Sequence, residues 1–153
     1  MTGNPPTPSF PPREKNMDPF FVQHNSPAER FGEPMTRSEA FRFAVELSLQ
    51  KLQESGYEIG SVIYEEDEEF PNIVASHDGQ KFYLYVALAC APEQQYTSAV
   101  TDFDKAIAAA RQRSAHLVIV PVVLFCMDME DSGGGPAVNG ALFAVKFLRV
   151  EVA

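Results

Sequence analysis

The pattern of apolar and polar positions predicts a long amphipathic helix that opens the folded part of the chain. The segment Thr36–Glu39 has the form of a capping box, in which each side chain bonds the other residue's backbone N–H. Gly56 is placed to end the helix in a left-handed conformation. Between these signals the core-facing positions recur at helical spacing: Phe41, Phe43, Ala44, Val45, Leu47, Ser48, Leu49 and Leu52.

Three short β segments are predicted next. They are Tyr57–Tyr64, Ile73–His77 and Lys81–Ala89. Asp78-Gly79 between two apolar runs is a hairpin signal, because both residues tolerate the positive φ that such a turn requires. In the third segment the residues on both faces are apolar, which predicts a central strand covered on both sides.

The second half of the chain predicts one more helix and two more strands. The helix is expected over Ser98–Arg113, and a buried strand over Ala115–Phe125. A glycine-rich loop, Met127–Asn139, separates these from a last strand, Leu142–Val152, expected to pair back as a hairpin at a sheet edge. The predicted fold class is therefore α/β, with the order helix, three strands, helix, two strands around a mixed central sheet.

Composition divides the chain into three regions. Residues 1–17 form a proline-rich segment too polar to bury much surface, which predicts a disordered tail. Residues 18–35 carry Phe20, Phe21, Val22 and Phe31 and are interpreted as an aromatic arm that covers the domain or a partner subunit. Residues 36–153 form the single α/β domain.

Charge and cysteine usage narrow the function classes. The net charge of −9 opposes binding to phosphate backbones, so no nucleic-acid partner is expected. Cys90 and Cys126 lack metal-ligand spacing, and two reduced thiols are the favoured interpretation, with a disulfide the alternative. No metal or other cofactor is predicted. The absence of a long apolar run and of a signal peptide predicts a cytoplasmic protein with no membrane partner.

One resemblance concerns the order of elements and the segment Phe70–Leu88. Both resemble the restriction-endonuclease-like (PD-(D/E)XK) superfamily, in which two carboxylates and a lysine on adjacent strands bind Mg²⁺ and activate water. Pro71-Asn72 occupies the place of Pro-Asp, and Tyr85-Val86-Ala87 that of Glu-x-Lys. Asn72, Tyr85 and Ala87 are thus degenerate motif positions, and the resemblance implies a nuclease-like fold without catalytic residues.

The chain also resembles small uncharacterised bacterial proteins of Bacteroidales type. The matching segments are Glu29–Glu33, Met35–Ala40 and Asn72–Ala75. This resemblance adds no activity.

Three functional hypotheses stay open at this point. The first is a non-catalytic binding or assembly module, homodimeric through the arm or the last strand, with its protein partner unidentified. The second is a divergent metal-dependent nuclease with relocated carboxylates at Glu46, Glu69 and Asp78, which would have to meet in one cleft. The third is an acidic mimic of nucleic acid, which would need its carboxylates in a stripe.

Overall fold

The computed structural model describes residues 20–66, 70–90, 103–127, 138–147 and 151–152 of the chain. The predicted tail, the glycine triplet of the predicted loop and the start of the second predicted helix lie outside these residues. The elements in chain order are β1 Phe20–Gln23, a 3₁₀ helix Ala28–Arg30, α1 Arg37–Glu54, β2 Glu58–Val62, β3 Ile73–His77, β4 Gln80–Cys90, α2 Phe103–Gln112, β5 Ala115–Cys126, β6 Leu142–Phe147 and β7 Glu151–Val152.

The capping box at the start of α1 forms as predicted. Thr36 Oγ1 accepts a hydrogen bond from the Glu39 backbone N–H, and the Thr36 N–H donates to Glu39 Oε1. Gly56, just past the helix, has a φ of +89°, the left-handed conformation that glycine adopts without strain. The buried positions of the helix cover a wide face, as predicted: Ala40, Phe41, Phe43, Ala44, Val45, Leu47, Ser48 and Leu52.

The strands form one mixed sheet in the order β1-β6-β5-β4-β3-β2, with β7 also paired to β5. β2, β3 and β4 are an antiparallel meander, and the turn between β3 and β4 has positive φ at both Asp78 and Gly79, as predicted. β4 and β5 are parallel and are joined through α2, whereas β6 and β7 run antiparallel to β5. The predicted α/β class, with a mixed sheet and two α-helices, is confirmed.

β4 is a central strand covered on both faces, as predicted. Leu84 and Val86 belong to the large core under α1, whereas Tyr85 packs with Ala106 and Ala110 of α2. Because alternate residues of a strand point to opposite faces, the two helices cover opposite faces of the sheet.

The prediction that the last strand forms a sheet edge is wrong for its first part, β6. β1, from the predicted arm, pairs with β6 in an antiparallel register that places Phe20 opposite Val145. The Phe20 ring stacks on Phe147 with centroids 5.8 Å apart, and Lys51 Nζ lies 4.3 Å from the Phe20 centroid. The arm thus pairs with its own domain. No helix in the described ranges is long and apolar enough to cross a bilayer.

Candidate functional site

The first degenerate motif position, Asn72, holds the start of β3 to both of its neighbours. Its side-chain amide donates to the carbonyl oxygens of Ile63 and Glu65, both at 3.0 Å, and its Oδ1 accepts from the Val86 N–H at 2.9 Å. The side chain is only 3% exposed. Both amide protons are used, so Asn72 has a complete structural role in this position.

An aspartate could not take the place of Asn72 without a rearrangement. Two carbonyl oxygens lie 3.0 Å from the position that its second carboxylate oxygen would take, and oxygen lone pairs that face each other at this distance repel. The surroundings of position 72 therefore suit an amide and oppose the carboxylate that a metal site would need.

The other two motif positions are packing positions. Tyr85 and Ala87 are each 4% exposed, and both lie on the face of β4 opposite the large core. Tyr85 contacts the small side chains of α2, and Ala87 is paired in register with Pro121 of β5. Neither position offers a carboxylate or an ammonium group.

Of the proposed relocated carboxylates, the two that the structure describes lie on different elements and have different partners. Glu46 lies on α1 and pairs with Arg42 at 3.5 Å, whereas Asp78 lies in the β3–β4 turn with an oxygen 3.3 Å from His77 Nδ1. Glu69 lies outside the described residues. Within the part of the chain that the structure describes, no three His, Cys, Asp or Glu side chains are placed to hold a metal ion. Cys126 is a free thiol, and the side chain of Cys90 lies outside the description.

A cavity of about 260 Å³ lies beside the degenerate motif, between the meander and α2. Tyr85 forms part of its wall, as does Pro71, the residue before Asn72. The remaining walls come from β2 and the residues after it, from β3 and β4, and from the end of α2: Ser61, Ile63, Phe70, Val74, Tyr83, Ala109 and Arg113. The cavity was not predicted, because its walls come from segments far apart in the chain.

Among the described residues that line this mainly apolar cavity, Arg113 is the one basic group. It follows directly after α2, and the chain then turns at Ser114 with a φ of +58°. Arg113 forms no ion pair with any other residue in the described ranges. An unpaired guanidinium beside apolar walls can bind a carboxylate through two parallel hydrogen bonds.

A second polar cluster ties the arm to the domain, and sequence reasoning missed it. The Arg30 guanidinium donates from Nε and Nη2 to the two Glu39 carboxylate oxygens, each at 2.9 Å. Asn139, which is buried, donates to Glu39 Oε1 at 3.3 Å and to the Glu33 carbonyl at 3.1 Å. The Arg30 side chain, followed by the Thr36 N–H, lowers the pKa of Glu39 to about 2.

The neighbouring residues of this cluster extend the attachment to β1. The Gly140 N–H donates to His24 Nδ1 at 3.0 Å, and Gln23 bonds the Gly140 carbonyl. The His24 ring meets Phe43 edge to face with centroids 4.7 Å apart. Burial lowers the pKa of His24, and the weaker attraction of Glu46 and Glu39 opposes that shift. A Glu at the third position of a capping box and an Arg nine residues earlier were the only sequence signals.

Comparison with known proteins returned no matching family model, no matching curated protein and no matching solved structure.

Proposed function

We propose that the chain is a non-catalytic binding or assembly module built on a restriction-endonuclease-like core. The order of elements supports the core: α1, the antiparallel meander β2–β4, the crossing helix α2, and β5 parallel to β4. Asn72 directly precedes β3, and Tyr85 and Ala87 lie in the middle of the neighbouring strand β4.

The observation that carries the non-catalytic proposal is the environment of Asn72. A residue that had merely lost its charge would leave a polar site open to a metal and its waters. Asn72 is instead buried, and its side-chain amide forms hydrogen bonds with three backbone groups. Mg²⁺ requires carboxylates and retained water molecules, and this position supplies neither.

The test is a nuclease assay of the full chain on single- and double-stranded DNA and RNA with Mg²⁺ or Mn²⁺. We expect no cleavage above the buffer control. Metal-dependent cleavage that disappears in Glu46→Gln or Asp78→Asn would favour the divergent nuclease instead. Glu54→Gln is the matched control, since Glu54 is an exposed carboxylate at the end of α1 with no proposed role. Metal-dependent cleavage that remains in all three variants and is missing from a mock purification without the chain would also contradict the proposal.

A further inference from the structure

We infer that the cavity beside the degenerate motif binds a small organic monoanion with an apolar part of one or two rings, and that Arg113 binds its charged group. This inference rests on the proposed binding role and names the ligand class that the site accepts. It concerns the cavity lined by Pro71, Tyr83, Tyr85, Ala109 and Arg113.

The size of the cavity limits the ligand. Its volume of about 260 Å³ lies just below the range of about 300 to 1,000 Å³ that is typical of sites for drug-sized ligands. A molecule with one or two rings matches this volume. Ala109, an exposed position of α2, adds only a methyl group to the wall.

The walls define the body of the ligand. Ile63, Phe70, Pro71 and Val74 are apolar, and Tyr83 and Tyr85 add aromatic surface. Aromatic rings pack against such walls face to edge or offset. The Phe70 side chain is 54% exposed, a large apolar group at this site that a bound molecule would cover.

The charges define the ligand's polar end. Arg113 is a fixed cation without an ion-pair partner in the described ranges, which favours an anion. A polyphosphate is disfavoured, because the chain carries a net charge of −9. A single carboxylate can accept the hydrogen bonds of the guanidinium, and among anions it is repelled least by the negatively charged protein.

Arg113 has one competing role, which a matched variant separates. A basic group at the end of a helix also stabilises the helix dipole. Arg111, in the last turn of α2, can supply that stabilisation equally and does not line the cavity. Replacing Arg111 therefore reproduces any dipole effect of replacing Arg113 and leaves the cavity unchanged.

The experiment uses 2-naphthoate, a fluorescent two-ring carboxylate, titrated against the full chain. We expect saturable binding that weakens at least about tenfold in Arg113→Gln and less than about twofold in Arg111→Gln. The neutral analogue 2-naphthamide should bind the unmodified chain at least about tenfold more weakly than the carboxylate. Ala109→Phe should fill the cavity and abolish binding, whereas Ala108→Phe, at the neighbouring exposed position of α2, should retain it.

Several outcomes would overturn the inference. These are no saturable binding up to about 5 mM, equal losses in the two arginine variants, or equal affinity for the charged and neutral probes. Circular dichroism of each variant separates lost binding from lost folding. None of these outcomes changes the nuclease assay, so the proposed function and the ligand class fail independently.

Discussion

Asparagine carries an NH₂ group where aspartate carries a second carboxylate oxygen, and at position 72 this difference decides which backbone groups the side chain can bind. The two carbonyl oxygens of Ile63 and Glu65 require a donor with two hydrogens. A neutral aspartic acid offers one such hydrogen, and an aspartate offers none. Asn72, whose amide weakens the case for a metal site, thus also links the residues after β2 to the central strand β4.

Asn72→Asp should lower the free energy of unfolding by about 2 to 4 kcal/mol at neutral pH, because a buried group loses its donors and gains a charge. The loss should shrink as the pH falls from about 7 to about 5, since burial raises the pKa of a carboxyl group and the neutral acid can donate once. Denaturant unfolding at both pH values measures it. The control is Asn25→Asp, an exposed position. A loss no larger than that of the control would show that the side chain at position 72 is not held as described.

His24 should make stability depend on pH in the mildly acidic range. The unfolded side chain titrates near pH 6.5, and burial lowers the pKa in the folded protein. Below pH 6.5 the unfolded chain therefore binds more protons, so stability is complete above that pH and falls as the pH drops toward the lowered pKa. Protonation also converts Nδ1 from an acceptor into a donor that faces the Gly140 N–H.

Unfolding curves between pH 7.5 and 5 measure this dependence. His24→Gln should flatten it. The same slope in His24→Gln and in the unmodified chain would assign the dependence to other groups.

Among the elements, those defined by local signals were predicted and those defined by distant contacts were not. The capping box of α1 and the Asp78-Gly79 turn depend on residues within a few positions of each other, and both form. β1 was interpreted only as part of an arm, because its strand character depends on β6. The Glu39–Asn139 contact spans 100 positions, and no local pattern encodes it.

The candidate site was predicted only in part, for the same physical reason. The resemblance located positions 72, 85 and 87, but it described them as losses. That Asn72 holds three backbone groups became evident only once β2, β3 and β4 were placed side by side. The position of Arg113 at the cavity depends on how α2 crosses the sheet.

The central position of β4 gives a direct stability prediction. Leu84 and Val86 are at most 2% exposed, and Leu84→Ala or Val86→Ala should cost roughly 2 to 4 kcal/mol through lost burial and an unfilled cavity. Lys81→Ala, on the same strand but exposed, should cost less than about 0.5 kcal/mol. Chemical denaturation measures all three. A cost below about 0.5 kcal/mol at Leu84 or Val86 would place that side chain at the surface.

On the scale of the whole molecule, we propose a homodimer formed through β1. Among the described residues β1 is an end strand in the sheet order, and Phe21 on it is 63% exposed. Edge strands pair readily with a second copy, and closed dimers are the commonest assembly. Light scattering should give a dimer mass for the full chain and a monomer mass for Phe21→Glu.

Phe31→Glu is the matched control for the dimer prediction. Phe31 is 67% exposed and lies outside β1, so this variant should stay dimeric. A monomeric unmodified chain, or loss of the dimer in both variants, would contradict pairing through β1.

The overall charge predicts that the protein does not bind DNA at physiological salt. A net charge of −9 repels the phosphate backbone at long range. The counterions condensed on DNA are released only when Lys or Arg side chains take their place. Fluorescence anisotropy with labelled duplex and single-stranded oligonucleotides measures this binding. Micromolar affinity that falls steeply with salt would reveal a local basic patch that outweighs the net charge.

The pairing of β1 with β6 has a consequence for the order of folding during synthesis. Gln23 leaves the ribosome early, but its partner Gly140 lies 117 positions later in the chain. The meander, α2 and β5 can assemble while the β1 segment has nothing to pair with, because pairing between distant segments is slow and chains fold from the first units completed. β1 is therefore synthesised well before its partner strand β6, and until β6 is available its phenylalanines are exposed to chaperones and to other nascent chains.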